Sequence, residues 1–404
     1  MADRTVLITG ASIAGLSTAF WLARAGWDVT VQERADAFRD GGQNVDVRGS
    51  AHEVIERMGI EQDVRAASTT EEGTRFVDER GRSVGAFPVG DAQDGPTAEL
   101  EILRGDLARI ILEHLPASVT VRFGDTVAAV ADDDRLEVSF ASGRTETYDL
   151  LIVAEGVRSA TRDLVFGAEA VRRPLGLTIA YGTIPRSPRD DRWWRWLTAP
   201  DQRQVTLRPD GKGTTRATLA TTAPDDRLAE MDPVEALDLL AERFAGAGWE
   251  TDRVLAGLRT SDDVYIDALT QITMRSWFRG RVALVGDAAW CVTPLGGGGT
   301  ALALTGGYVL AASLSHLDDT GSRSDRDGAL ARYDAWMRPL VTKTQSLPPG
   351  VPRLAYPRSR WGVAVLRSIV RVAATPPLRR ILGRFAAVGD AGKPLPELRE
   401  ASSN

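Results

Sequence analysis

Apolar residues along the chain come in short runs broken by glycine and proline, and their spacing alternates between strand and helix periods. Thr5 to Thr9 (TVLIT) is an apolar run of strand length. Gly10-Ala11-Ser12-Ile13-Ala14-Gly15 turns it into a stretch of small and apolar residues, Ala14 to Ala25, that predicts a helix. Gly26 ends that helix, and Asp28 to Gln32 predict a second strand with Glu33 at its tip. Helix patterns follow at Ser50 to Met58 and from Arg104 to about His114. Strand patterns flank Glu79-Arg80-Gly81-Arg82 as a hairpin, Thr74 to Asp78 and Ser83 to Phe87. Val119 to Phe123, Thr126 to Ala131, Leu136 to Phe140 and Glu146 to Tyr148 read as a β-meander, and Leu150 to Val153 as a buried strand.

The pattern changes between residues 173 and 267. Leu177 to Ile184, Trp193 to Leu197, Val205 to Pro209 and Thr215 to Thr221 alternate like strands with one face covered, and one helix, Pro233 to Ala245, interrupts them. Val282 to Val285 is again a buried-strand run, stopped by Gly286-Asp287. A loop with Thr293-Pro294 and four glycines, Gly296 to Gly299, then feeds a helical pattern from Thr300 to Leu310. Helices are predicted for Ala329 to Leu347, which contains Pro339, for Trp361 to Ala374 and for Leu378 to Phe385.

Two of these junctions carry chemistry. The first strand, the Gly10 to Gly15 turn, its helix and the second strand form the dinucleotide-binding pattern, with an acid about twenty residues on to hold a ribose hydroxyl. Glu33 is that acid, and the middle glycine of the pattern is replaced by Ser12. A tight strand-to-helix turn with no ligand is the alternative reading of the same residues. At the second junction an aspartate, Asp287, sits at the end of a strand, and the glycine loop opens a helix. A helix start presents unpaired N–H groups and partial positive charge to an anion. Glycines there let the backbone lie against a planar ligand.

Composition narrows the partners. The chain has 404 residues, enough for one large core or two linked ones, and a net charge of −6, which does not favour nucleic acid. The start, MADRTVLITG, enters the first strand at once, so the expectation is a cytoplasmic protein without a signal peptide. The single cysteine, Cys291, and three scattered histidines give no disulfide framework and no metal-binding pattern.

Taken together, GASIAG at Gly10 to Gly15, Glu33-Arg34, DLLIVAEG at Asp149 to Gly156 and VGDAAW…PLGGGGTALAL around Asp287 resemble the flavin-dependent aromatic hydroxylases. This is the para-hydroxybenzoate hydroxylase class, including its tetracycline-inactivating branch, and the resemblance covers roughly residues 4 to 345. It implies an α/β fold: a Rossmann-like FAD-binding domain, discontinuous over 1–72, 98–172 and 268–327; an antiparallel-sheet substrate domain at 73–97 and 173–267; and C-terminal helices and tail at 328–404.

The resemblance also implies contacts to FAD from Gly10, Ser12, Ile13, Ala14, Gly15, Glu33, Arg34, Asp46, Arg48, Arg104, Val127, Glu155, Asp287, Pro294, Gly297, Gly298, Gly299 and Thr300. Asp46 and Arg48 would lie beside the flavin ring, and Val127 would offer its backbone to adenine. Glu155 departs from the aspartate usual in the family. No certain catalytic side chain is expected, because the flavin carries the chemistry. NADPH or NADH would visit as co-substrate, since no second glycine-rich turn is present. The reaction would be hydroxylation of an aromatic or polyketide-like small molecule by O2 through a C4a-hydroperoxyflavin, in a monomer or homodimer.

Trp194 and Trp196 share one face of their strand by period-2 alternation. They are candidate substrate contacts, with packing of the sheet core as the competing reading. From Arg353 to Arg384 there are eight arginines and no acid. This segment is expected to pack on the protein body rather than on a membrane. Competing functions are a flavin halogenase, disfavoured because Trp194-Arg195-Trp196 continues as Leu197-Thr198 and no lysine is suitably placed, a flavin-dependent reductase of alkenes, and a non-catalytic FAD-binding protein.

Overall fold

The computed structural model describes residues 4–69, 71–89, 100–222, 226–292, 298–317, 322–346, 354–378 and 394–401. Its central sheet has six strands in the order β17 (Phe278–Arg279), β18 (Val282–Leu284), β11 (Leu150–Val153), β1 (Arg4–Thr9), β2 (Trp27–Gln32) and β7 (Thr120–Arg122). All neighbours are parallel except β17 and β18. β11 is apolar at every position, and β1 is apolar over Val6 to Ile8, because both faces are covered there, as a parallel sheet requires.

Helix α1 (Ile13–Arg24) packs against α9 (Gly299–Leu314), which is buried along almost its whole length. The two backbones approach closely at small residues: a Cβ on Gly307 would stand 2.9 Å from Ser17 Oγ and from the Thr18 amide. Ser17 Oγ donates to the Leu304 carbonyl at 3.2 Å. Also on this body are α2 (Ser50–Met58), α3 (Glu61–Ala66), α4 (Arg104–Glu113), α5 (Ala160–Phe166), the short α8 (Asp287–Trp290) and α10 (Arg323–Gln345). Tyr333 of α10 is fully buried and donates its hydroxyl to the Leu284 carbonyl at 2.8 Å, tying that helix to β18.

A seven-stranded sheet forms the second layer, in the order β16 (Tyr265–Thr273), β12 (Val171–Pro185), β15 (Thr214–Thr221), β14 (Arg203–Pro209), β13 (Trp193–Ala199), β4 (Gly73–Val77) and β5 (Ser83–Pro88). It is antiparallel apart from one parallel pair, β13 with β4. The hairpin β4–β5 joins the sheet from an earlier part of the chain, so no tight turn links it to β13 and the direction of pairing is free. One face is covered by α6 (Pro233–Phe244) and α7 (Thr251–Arg259), whose Leu237, Leu240, Leu255 and Leu258 pack on Leu197, Val205 and Leu219. The sequence predicts α6 but not α7, although Val254, Leu255 and Leu258 already show half a helical stripe.

The expected four-strand meander divides in two. Only β8 (Val127–Asp132), β9 (Leu136–Phe140) and β10 (Thr145–Tyr148) form an antiparallel meander, whereas β7 joins the central sheet beside β2. A strand of three residues carries too little periodicity to reveal its sheet. A two-stranded ribbon, β3 (Asn44–Asp46) with β6 (Glu101–Leu103), lies between the two large sheets.

The C-terminal region touches both layers. Helix α11 (Arg360–Ala373) rests on β5 and β13, with Arg367 paired to Glu79 at 2.8 Å, while Trp361 is 80% exposed. The strap 394–401 lies on the central-sheet body: Tyr308 donates to the Pro396 carbonyl at 2.9 Å, and the Ala401 amide to the Arg24 carbonyl at 2.9 Å. Residues 379–385 of the predicted Leu378 to Phe385 helix lie outside the described residues. Among the described residues no helix is long and apolar enough to cross a membrane.

Candidate active site

The first glycine turn is built as its residues require. Gly10 has φ +100° and donates its amide to the Gln32 carbonyl at 2.8 Å. A Cβ there would lie 2.5 Å from the Ala154 carbonyl oxygen, and one on Gly15 would lie 1.9 Å from the Gly10 carbonyl oxygen. Only glycine lets helix, turn and strand approach so closely. Ser12 stands at the N-cap of α1 but makes no side-chain cap, so it leaves the amides of the first helical turn to another acceptor. Ile13 is buried and Ala14 half-buried behind the turn.

Glu33 reaches across this turn. Its Oε2 accepts from the Ala11 amide and its Oε1 from the Ala35 amide, both at 2.9 Å. The carboxylate is therefore fixed beside the first turn of α1, half-buried, while Arg34 next to it is exposed. Val127 opens β8 and is buried. Glu155, by contrast, is turned towards α5: it accepts from Ser159 Oγ at 2.7 Å and from the Thr161 amide at 3.0 Å. The extra methylene of glutamate relative to aspartate gives it the reach to cap that helix.

At the second junction Gly286 has φ +65°, and Asp287 opens α8 beyond it. Burial raises the Asp287 pKa above the ordinary aspartate value; the Arg104 guanidinium pulls it back down and Asp267 pushes it up. The residue nevertheless stays open to solvent, which places it on the floor of a cleft rather than inside a core. Arg104, the first residue of α4, is exposed and has no carboxylate within ion-pair distance among the described residues. A cation at a helix start is unfavourable unless an anion accompanies it. Gly298 has φ +78° at the N-cap of α9, followed by Gly299 and Thr300 in its first turn. Pro294 and Gly297 lie outside the described residues.

The seven-stranded sheet turns its other face, opposite α6 and α7, towards this cleft, with Tyr356 and α11 packed against part of it. Paired residues on neighbouring strands point to the same side. Leu197, Val205 and Leu219 form one register row, under α6 and α7. The adjacent row, Phe76, Trp196, Thr206 and Thr218, faces the other way. Trp194 and Trp196 therefore do not belong to the packed core of the sheet; their ring centroids are 4.6 Å apart, and Phe76 lies 5.9 Å from Trp196. On the same side Arg158, which follows β11, pairs with Asp267 of β16 at 3.1 Å, and the Tyr356 hydroxyl donates to Gln204 Oε1 at 3.2 Å.

Asp46 and Arg48 lie at the base of this face, 3.2 Å apart as an ion pair. Asp46 also approaches Arg208 of β14, to 3.8 Å. Sequence reasoning missed Arg208, Glu71 and Glu101. Nothing marks them in the chain, because their significance comes from meeting at one point.

An arginine without a carboxylate at ion-pair distance among the described residues, a close-packed glycine turn, an uncapped helix start and a carboxylate fixed beside it fit a dinucleotide. Fold and site thus define a flavoprotein of the dinucleotide-binding class. Comparison with known proteins agrees. A family model described as "FAD binding domain" matches residues 3–345. The chain is 34% identical to the FAD-dependent monooxygenase asL4 of Sarocladium schorii, covering 93% of each chain. It is 31% identical to the solved tetracycline destructase Tet(55), covering 99% of each with a TM-score of 0.80. Klebsiella pneumoniae HpxO, solved with FAD and uric acid, has the same fold at a TM-score of 0.75 and 22% identity, covering 95% of this chain and 96% of that one. The chain belongs to the FAD-binding-domain family of flavin-dependent monooxygenases.

Cys291 follows α8 and is buried; its carbonyl accepts from the Ile272 amide at 3.2 Å. No step of the chemistry calls on its sulfur. Cys291→Ser is expected to keep turnover within a few-fold of wild type; a loss of roughly a hundredfold, the scale of a general acid–base group, would show that the thiol takes part.

Proposed function

We propose that the protein hydroxylates an aromatic or polyketide-like small molecule with NAD(P)H and O2. The observation that carries this reading is that Arg104 and Asp287 meet beside Asp267, on the sheet face that also carries Trp194 and Trp196. When bound, FAD supplies the transfer of electrons from NAD(P)H that activates oxygen.

The chain's own residues bind and orient. The amides of Ser12, Ile13, Ala14 and Gly15 would take the pyrophosphate over the close-packed Gly10, whose own amide is held by Gln32, while Glu33 would take a ribose hydroxyl and Arg34 border the same end. Val127 contributes backbone contact to the adenine. Arg104 neutralises phosphate charge, Asp287 frames the ribityl side, and Asp46 and Arg48 border the ring, whereas Glu155 is taken up by the start of α5. Pro294 and Gly297 to Thr300 receive the ring edge, where amides at the start of α9 favour negative charge. Trp194 and Trp196 offer flat apolar surface to an aromatic substrate and exclude water from it. In this reading residues 1–72, 98–172 and 268–327 hold the cofactor, and 73–97 with 173–267 hold the substrate.

The test is NADPH oxidation by the purified yellow protein across a panel of phenols and polyketides. The reading predicts that an accepted aromatic stimulates oxidation severalfold and leaves as a hydroxylated product. Oxidation indifferent to every aromatic, or saturation of a carbon–carbon double bond instead, contradicts it.

A further inference from the structure

The aromatic face ends in a buried cluster of charges drawn from both layers. Arg208 of β14 lies with its guanidinium 4.0 Å from the Trp194 ring centroid. Its Nε donates to Glu71 Oε1 at 2.7 Å, and its Nη2 donates to Glu101 Oε2. Glu71 Oε1 also accepts from Asn44 Nδ2 at 2.7 Å and from Thr69 Oγ1 at 3.3 Å. Asp46 of β3 stands 3.8 Å from Arg208 and 3.2 Å from Arg48. Glu101, on β6, is 2% exposed.

Three carboxylates thus meet two guanidiniums. Full ionisation would leave a negative charge in excess where water is excluded, which is costly. The carboxyls of Glu101, Glu71 and Asp46 are crowded together, since all three approach the one Arg208 guanidinium. Two such carboxyl groups hydrogen-bond to each other only when one of them carries a proton. Glu71 Oε2 is buried with no N–H or hydroxyl donor among the described residues, so a carboxyl O–H is the donor the site has to offer.

We propose that this cluster holds one proton at neutral pH, carried by Glu101, and that Glu71 and Glu101 are positioning residues which keep Arg208 flat against Trp194 and so fix the shape of the substrate face. The substrate part of the proposal rests on the function proposed above. Burial raises Glu101 to about 8, with Glu71 adding to the rise and Arg208 opposing it. Burial and Glu101 raise Asp46 to about 6, against Arg208 and Arg48. A carboxyl whose pKa is raised by folding binds a proton in the native state that the unfolded chain has released. Glu101 therefore stabilises the fold less and less as pH rises from its ordinary 4.5 to about 8. Above that range the ionised Glu101 repels Glu71 and Asp46, and the carboxyl contact through which the two glutamates set the position of Arg208 is lost.

The experiment is infrared titration of the FAD-loaded protein, with substrate kinetics alongside. Wild type is expected to show the band of a protonated, buried carboxyl at neutral pH, fading near pH 8. Glu101→Gln should lack the band. Glu101→Gln keeps a donor in place of the O–H, so it should also abolish the rise in KM that wild type shows above that pH, while Glu101→Ala should have a raised KM at every pH. Absence of the band from wild type at neutral pH overturns the proposal, as does an alkaline KM rise unchanged in Glu101→Gln. The infrared arm needs no turnover and no variant. A failed band rejects the proton cluster whatever the substrate is, and a failed hydroxylation assay with the band present rejects the function alone.

Discussion

Glu33→Lys purifies with most of its FAD missing: this is the largest effect the site predicts on cofactor content. Glu33 ends β2 with its carboxylate held by the amides of Ala11 and Ala35. Those two bonds leave it further lone pairs and a fixed position for a ribose hydroxyl. A hydrogen bond to a charged group contributes about 1.5–3 kcal/mol, so losing the ribose contact alone weakens FAD binding roughly ten- to a hundredfold. Lysine adds a repelling cation beside the Ala11 amide, which brings the expected loss to a hundredfold or more. Glu33→Gln keeps one acceptor oxygen and should fall between. The ratio of flavin to protein absorbance after purification reads all three proteins, and full FAD content in Glu33→Lys refutes the assignment.

The second large effect is on stability. Gly15→Ala places a Cβ 1.9 Å from the Gly10 carbonyl oxygen and 3.4 Å from the Ala154 Cβ. The obstacle is backbone, which cannot rotate away as a side chain can. The first turn of α1 must lift off β1 and β11, where the core is tightly packed. Overpacking of this kind costs about 1–3 kcal/mol or more, and an obstacle of main chain puts it at the upper end, lowering Tm by roughly 5 °C or more. Gly41→Ala is the matched control, since a Cβ there meets nothing within 4 Å. Calorimetry of the two variants decides the matter. Equal melting temperatures would mean that the turn is looser than its geometry.

The glycine turn and the acid beside it were largely legible in the sequence because these residues are local. Gly10, Gly15 and Glu33 fall within one strand–helix–strand unit, and their spacing is itself the geometry. Asp287 and Gly298 mark strand and helix ends in the same way. The aromatic face was legible only in part. Period-2 alternation puts Trp194 and Trp196 together, but it does not say which side of the sheet α6 and α7 cover. The Arg208 cluster was not legible at all. Asp46, Glu71, Glu101 and Arg208 come from distant segments and resemble ordinary surface charges until β3, β6 and β14 meet. The same limit explains β7 and the parallel β4–β13 pair, since which strands become neighbours is decided by tertiary packing. Glu155 shows a different limit, in which one methylene redirects a carboxylate from the cleft to the cap of α5.

The central claim, that this family member inserts one atom of O2 into an aromatic substrate, is tested most directly by running the reaction under 18O2 with NADPH and weighing the product. A product heavier by one labelled oxygen is the predicted result. An unlabelled product, or a substrate that has gained only hydrogen, would contradict it and assign the bound flavin to reduction instead.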